Sequence, residues 1–349
     1  MFNFFDGVTC SKPFWCVPYI GTKRKIAADL LRKMISRHPK TRHLYDLFGG
    51  GGAMSSCAAI NAPKLQTIHY NEYDVSIYSL TRFLHDWFFY QHPIFRWNGS
   101  ALPQEFYRWI DKEEFHTFKR SPTHLGGLMR TIWGFGQTFS YLYPDEMAAY
   151  KGSVFKYIVN GECKEHLEDL YGFKLPSLSH HVTIDDRRMH FQRYINMKFL
   201  GMHKDKFEQT LSHLGLDNVS QVQQVHPLQR LYRMSKCQSF KNFTTITNLS
   251  YDEVEIPDRL NTVIYLDPPY RGTAPTGYTC GSALFDYEKF YDWIRNAPFP
   301  VYISEYDMPS DFTCVMEINV KVALASYCHD KSARVHLDAV EKLYWNNKY

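Results

Sequence analysis

Two short strings in this 349-residue chain combine residue types that could do chemistry. The first is Asp267-Pro268-Pro269-Tyr270, which stops the hydrophobic run Val263-Ile264-Tyr265-Leu266. Two prolines fix φ and remove two backbone donors, so the carbonyls there face no competing N–H. An Asp carboxylate and a Pro carbonyl can then accept both hydrogens of one NH₂ group. Tyr270 adds a flat face on which a planar base can stack. That set suits methylation of an exocyclic amine on a nucleobase. Such a nitrogen is a poor nucleophile because its lone pair is delocalised into the ring. Two acceptors on its hydrogens raise the electron density on nitrogen. Alignment and electrostatics then suffice, and neither a metal nor a covalent enzyme intermediate is required.

The second string is Asp46-Leu47-Phe48-Gly49-Gly50-Gly51-Gly52. Glycine lets backbone approach a ligand closely, and the start of the following helix offers free N–H groups. The dinucleotide fingerprint G-x-G-x-x-G fails in both registers, because its last position falls on Met54 or Ser55. A Walker Gly-Lys-Ser/Thr is absent from the loop as well. Glu72 lies about twenty residues past the loop, where an acid binds ribose hydroxyls in nucleoside-binding βαβ units. The implied ligand has a nucleoside and no phosphate, which S-adenosylmethionine satisfies.

These residues need strands and helices to place them. The pattern reads as a helix over Lys23–Ser36, a strand over His43–Phe48, the glycine loop, and a helix from Ala53 that Pro63 helps to end. A strand over Leu65–Tyr70 and a helix to about Phe89 follow. This is βαβ grammar and predicts an α/β domain with parallel strands. Alternation resumes after residue 241, with strands over Thr262–Leu266, Pro300–Ser304 and Leu343–Trp345, and a helix over Phe285–Arg295. The catalytic domain is therefore read as discontinuous, 15–90 and 241–349. Residues 91–240 are read as a mainly helical inserted subdomain, since that length is too great for a simple loop. The insert holds 19 Lys/Arg against 15 Asp/Glu and 10 of the 16 His. Its most basic stretch runs from Arg187-Arg188 through Arg193, Lys198, Lys204 and Lys206.

Several of these residues resemble the Dam-like class of adenine-specific (N6) DNA methyltransferases, and within it a phage and Bacteroides-like branch. Tyr19-Ile20-Gly21-Thr22-Lys23 is similar to the family's N-terminal cofactor motif, a Gly-x-Lys turn before a helix. Asp46, Phe48, Gly50 and Gly52 match its F-x-G-x-G motif with the preceding acid. Glu72 stands at the ribose-binding acid, where Asp is commoner. Thr247–Tyr251 resembles the segment that meets the cofactor adenine, with Ser250 where many members carry Asp. Asp267–Tyr270 matches fully. Val301–Tyr306 resembles the strand after the catalytic helix, and Trp133–Gln137 resembles part of the branch's insert.

The resemblance implies a Rossmann-like S-adenosylmethionine-dependent methyltransferase fold. Asp267, Pro268, Pro269 and Tyr270 would be catalytic. Tyr19, Gly21, Lys23, Asp46, Phe48, Gly50, Gly52, Glu72, Ser250 and Asp267 would bind the cofactor. The partner would be double-stranded DNA whose target adenine flips into the pocket. The insert would recognise the target, with Arg187, Arg188 and Arg193 as contacts. Trp133 reads as a core residue and Glu305 as an exposed acid at a strand end. A cytosine amine or RNA as target, and a non-catalytic DNA-binding module, are the competing readings.

Composition sets the outer limits. Hydrophobic residues at 44% and charged residues at 22% exclude wholesale disorder. No apolar run approaches the roughly 20 residues that cross a bilayer, and the N-terminus lacks a basic, then apolar, signal pattern. The eight cysteines form no CxxC pair, and no HxH or HExxH spacing suggests a metal. A cytoplasmic, monomeric protein with reduced thiols and no membrane partner is the expectation. The net charge of +4 permits an anionic partner without demanding one.

Overall fold

The structure is a computed structural model that describes residues 12–19, 21–90, 101–213, 216, 218–257, 260–271, 285–323 and 336–349. Its first helix, α1 (Ala27–Arg37), buries Ala27, Leu30, Leu31, Met34 and Ile35, the i, i+3, i+4, i+7, i+8 stripe of an amphipathic helix. It starts four residues later than the periodicity predicts. The Lys23 carbonyl instead accepts the N–H groups of Ile26 and Ala27, closing a turn. Lys23 thereby belongs to the entry loop, and the residue is 7% exposed.

Strand β1 (His43–Asp46) leads through the glycine loop into α2 (Ala53–Asn61). Then come β2 (Thr67–Asn71) and α3 (Val75–Tyr90). Residues 104–242 add α4 (Lys112–Phe118), α5 (His124–Leu128), α6 (Asp145–Asn160), α7 (Lys164–Tyr171), α8 (Ile184–Leu200), α9 (Lys204–His213), α10 (Val219–Gln223) and α11 (His226–Ser235). The sheet resumes with β3 (Thr245–Thr247) and β4 (Thr262–Leu266). After α12 (Tyr287–Asn296) it ends in β5 (Val301–Glu305), β6 (Thr313–Ala323) and β7 (His336–Trp345).

The seven strands order as β3-β2-β1-β4-β5-β7-β6. The first five are parallel, and β7 runs antiparallel to both β5 and β6. All five residues of β4 are buried, as a central parallel strand covered on both faces requires. One face carries α1, α2 and the intervening helices in a single continuous core, with Leu44, Val263 and Tyr265 beside Trp133, Phe155 and Phe191. The other carries α12, whose Phe290, Tyr291 and Ile294 meet Ile264, Leu266 and Ile303. Trp133 is fully buried, as expected, edge-on to Trp109 at 5.0 Å.

The glycine loop is folded back on the entry loop. Val17 N donates to the Gly51 carbonyl at 2.9 Å, and a Cβ on Gly51 would lie 2.5 Å from the Val17 carbonyl oxygen. Backbone on both sides cannot yield cheaply, so Gly51→Ala is expected to cost about 1–3 kcal/mol of stability by overpacking. A urea titration reads this as a lower midpoint at unchanged slope. An unchanged midpoint would contradict the loop packing.

Among the described residues no helix is long and apolar enough to cross a membrane, and Cys16, Cys57, Cys163, Cys237 and Cys314 are free thiols.

Candidate active site

Strand order reverses between β1 and β4, and ligands of open α/β sheets bind outside the carboxyl ends at such a point. Asp46 ends β1 opposite Tyr265 of β4, and Asp267 follows β4 by one residue. A crevice of about 650 Å³ opens there, within the 300–1,000 Å³ range of small-molecule sites. Tyr19, Gly21, Lys23, Asp46, Phe48, Gly50, Glu72 and Ser250 all line it, and so do Asp267, Pro268, Pro269 and Tyr270. Gly52 does not. Its φ of +76° serves the turn into α2, and a Cβ there would meet the Phe240 ring at 3.0 Å.

Glu72 ties the glycine-loop end of the crevice together. Its Oε2 accepts the Gly50 N–H at 2.6 Å and its Oε1 accepts the Asp74 N–H at 2.8 Å. Gly50 sits at φ +49° with the Tyr19 ring 3.0 Å from where a Cβ would be. Tyr70 donates its hydroxyl to the Gly50 carbonyl at 2.7 Å from below. Asn71 braces the next segment: its Nδ2 donates to the carbonyls of Leu47 and Leu249, and its Oδ1 accepts the Leu249 N–H. Phe48 stacks with Tyr251 at 5.7 Å and meets Phe285 edge-on at 5.9 Å, giving the crevice an aromatic wall. Ser250 is half-buried; its hydroxyl donates to Asp252, which also pairs with Lys289 at 2.7 Å.

Burial, with the Asp74 charge adding, pushes the Glu72 carboxyl up to about 7. The unfolded chain releases this proton near 4.5. Between those values the folded state binds more protons, so this group's contribution to stability is full below 4.5 and is lost as pH rises through 7. Glu72→Gln is therefore expected to flatten the stability profile in that window, measured as urea midpoints at several pH values. A decline as steep as the native one would contradict the assignment.

The corner around Asp267–Tyr270 is built from five elements. Lys23 Nζ pairs with Asp267 Oδ1 at 2.9 Å and lies 4.7 Å from the Tyr270 ring centre. The Tyr270 hydroxyl donates to Glu341 Oε2 at 2.7 Å, and Tyr306 packs edge-on at 4.7 Å. Tyr287, the first residue of α12, donates to the Pro269 carbonyl at 2.7 Å, fixing the second proline. Burial raises the proton affinity of Asp267 above the usual carboxylate range, with Lys23 opposing. Asp46, pushed up to about 7 by burial, accepts from Ser55 N and Oγ at 3.2 and 2.7 Å. It thereby pins the start of α2.

Glu305 differs from the expectation of an exposed acid. It is 2% exposed and accepts the N–H groups of Arg271 and Tyr306, bracing the chain just after the tetrapeptide. Of the three arginines, Arg188 is 8% exposed and paired with Asp185 at 2.5 Å. Arg187 donates to the carbonyls of His181 and Val159. Arg193 is exposed, as are Lys198, Lys204 and Lys206. None of the three lines the crevice.

Three site residues escaped the reading of the sequence. Glu341 comes from β7, 71 residues past Tyr270, and no local motif marks it. Asp74 and Arg130 form a buried ion pair, 5% and 1% exposed at their side chains. Asp74 stands two residues after Glu72, where an Asp before a helix reads as its cap, and it does accept from Ser76 N at 3.1 Å. Arg130 has no signal at all.

The residues present fit S-adenosylmethionine. Glycine backbone allows close approach, the buried Glu72 follows β2 directly, and the wall is aromatic. Compared with known proteins, the chain matches no protein-family model and no curated protein. Its assignment rests on architecture: this is a Rossmann-like α/β fold whose strand order 3-2-1-4-5-7-6 is typical of the class I S-adenosylmethionine-dependent methyltransferases.

Proposed function

We propose that this protein transfers a methyl group from S-adenosylmethionine to the exocyclic amine of an adenine in double-stranded DNA. The observation that supports this most is one of place. The Asp267–Tyr270 corner opens onto the same crevice as the glycine loop and Glu72, across the strand-order reversal. A donor and an amine can meet only if their two sites share a cavity.

Tyr19, Gly21, Asp46, Phe48, Gly50, Glu72 and Ser250 would hold the cofactor, with Lys23 kept on Asp267 beside them. Bound there, it supplies an electrophilic methyl group on a sulfonium sulfur. The chain does the rest. Asp267 and the Pro268 carbonyl accept the two hydrogens of the amine and turn its lone pair outward. Tyr270 and Pro269 confine the base, with Tyr287 and Glu341 holding them still. Asp267, whose proton affinity is raised, takes the proton that the nitrogen gives up. The enclosed corner makes each of these contacts worth more than it would be in water.

An adenine stacked in a duplex cannot reach such a corner, so the base must flip, at a cost of a few kcal/mol. The helical segment between β2 and β3 would bind the duplex. Its exposed Arg193, Lys198, Lys204 and Lys206 are the phosphate contacts in this reading, while Arg187 and Arg188 shape α8 itself. Phosphate contacts position the duplex and make affinity fall with salt.

Modification-sensitive sequencing of DNA from cells that express the chain tests the proposal. The expected result is N6-methyladenine at one recurrent sequence. Modified cytosine alone would move the target to the cytosine amine, and unmodified DNA would reject the DNA substrate.

A further inference from the structure

Asp267 already has a partner. Lys23 Nζ lies 2.9 Å from its Oδ1 and 4.7 Å from the centre of the Tyr270 ring. A nitrogen bearing hydrogens thus occupies the carboxylate and the aromatic face that the proposed reaction gives to the target amine. The inference below rests on that reading. The ammonium and an adenine amine cannot both use this place.

The exchange is constrained by charge. An aromatic amine is neutral, so it can replace the hydrogen bonds of the ammonium but not its charge. The side chains of Lys23, Asp267 and Glu341 are 8%, 20% and 12% exposed. A cation pushed off Asp267 with no new partner would be stranded where water hardly reaches, which is strongly unfavourable. The lysine therefore needs a second carboxylate within a short swing.

Glu341 meets that need. Its Oε1 lies 3.7 Å from Lys23 Nζ, an ion-pair distance that a shift of about 1 Å turns into an ordinary N–H···O bond. Its Oε2 is held by the Tyr270 hydroxyl at 2.7 Å, which keeps Oε1 turned toward the lysine. Lys23 also donates to the Gly21 carbonyl at 3.3 Å, so its ammonium is held near both acids. Among the described residues, two other carboxylates of this region have partners of their own. Asp46 is bonded to Ser55, and Glu305 to the N–H groups of Arg271 and Tyr306.

We infer that Glu341 is the receiving site for Lys23: the ammonium blocks Asp267 in the free protein and passes to Glu341 as the target amine enters. Glu341 is then a positioning residue for methyl transfer, acting through Lys23. The exchange also discriminates between bases. A carbonyl oxygen in the amine's place has no hydrogen to offer Asp267, so it cannot displace the lysine. Only a base that donates at that position opens the corner.

Two arms test this. The first is a crystal structure of Asp267→Asn, which weakens the hold on Lys23 as an arriving amine would. Lys23 Nζ is expected at hydrogen-bond distance from Glu341, about 3 Å. A lysine that stays at its present place, or turns to solvent, overturns the inference whether or not the protein is active. In solution the same exchange makes Glu341→Gln far more damaging to the urea midpoint in the Asp267→Asn background than alone, and equal losses overturn it.

The second arm is kinetic. Glu341→Gln is expected to lower kcat by about tenfold or more while KM for the cofactor stays near its native value, the split of a group acting after binding. Tyr270→Phe keeps Glu341 but frees its Oε2. If Glu341 merely holds the tyrosine, Tyr270→Phe reproduces the whole kcat loss, and the receiving role fails. Absence of transfer by the native protein rejects the methyltransferase reading instead, and the first arm still decides where the lysine goes.

Discussion

On the proposed reading, Asp267→Asn is expected to abolish methyl transfer and to leave the fold intact. Asparagine keeps the shape of the side chain, so the corner between β4 and α12 retains its packing. It loses one acceptor and presents an NH₂ group of its own. The target nitrogen then meets a donor where it needs an acceptor, and no group remains to take its proton. Removing one preorganised electrostatic contact costs about 10²–10³ in rate, and loss of a general base about 10²–10⁴. A fall of at least about 10³ follows if both are lost. Cofactor affinity is expected to stay within about tenfold, since Glu72 and the glycine loop are untouched. Single-turnover rates beside calorimetric cofactor titrations separate the two. Near-native turnover would remove Asp267 from the mechanism.

Glu72→Ala produces the complementary defect. The carboxylate holds the loop through Gly50 N and its own strand end through Asp74 N, and it faces the crevice. On the proposed reading its loss takes away the acceptor for the ribose hydroxyls, and it releases the Gly50 N–H. Hydrogen bonds to a charged group contribute about 1.5–3 kcal/mol, so cofactor affinity is expected to fall roughly 10- to 100-fold. Turnover at saturating cofactor should fall much less, because the corner that polarises the amine is intact. Calorimetry checks the first statement and saturation kinetics the second. Unchanged affinity would mean that the acid serves the loop alone.

The contrast between these variants shows what the sequence could disclose. Phe48–Gly52, Glu72 and Asp267–Tyr270 are local strings, and each follows a strand that ends where the hydrophobic run ends. Because the strands are parallel, their carboxyl ends fall on one edge, so residues from 46, 72 and 267 were bound to meet. Partners brought by the antiparallel strands had no such rule. Glu341 reaches Tyr270 only because β7 runs back beside β5, pairing Glu305 with Lys342.

The boundaries shifted for equally physical reasons. The helix expected at Lys23 begins at Ala27, after a turn closed on the Lys23 carbonyl. Strand β3 has three residues, too few for a period of two to show. Strand β6 did have a signal, since Met316-Glu317-Ile318-Asn319-Val320-Lys321 alternates apolar and polar as a half-buried edge strand should. Glu305 looked like a surface acid because its burial depends on Arg271 and Tyr306 backbone N–H groups supplied by two loops.

The most direct measurement uses purified protein, methyl-labelled S-adenosylmethionine and unmethylated duplex DNA, followed by digestion to nucleosides and mass analysis. The account predicts label in N6-methyldeoxyadenosine, and none when Asp267→Asn replaces the native chain. Label confined to another nucleoside, or a native protein that binds the cofactor and DNA yet transfers nothing, would contradict it.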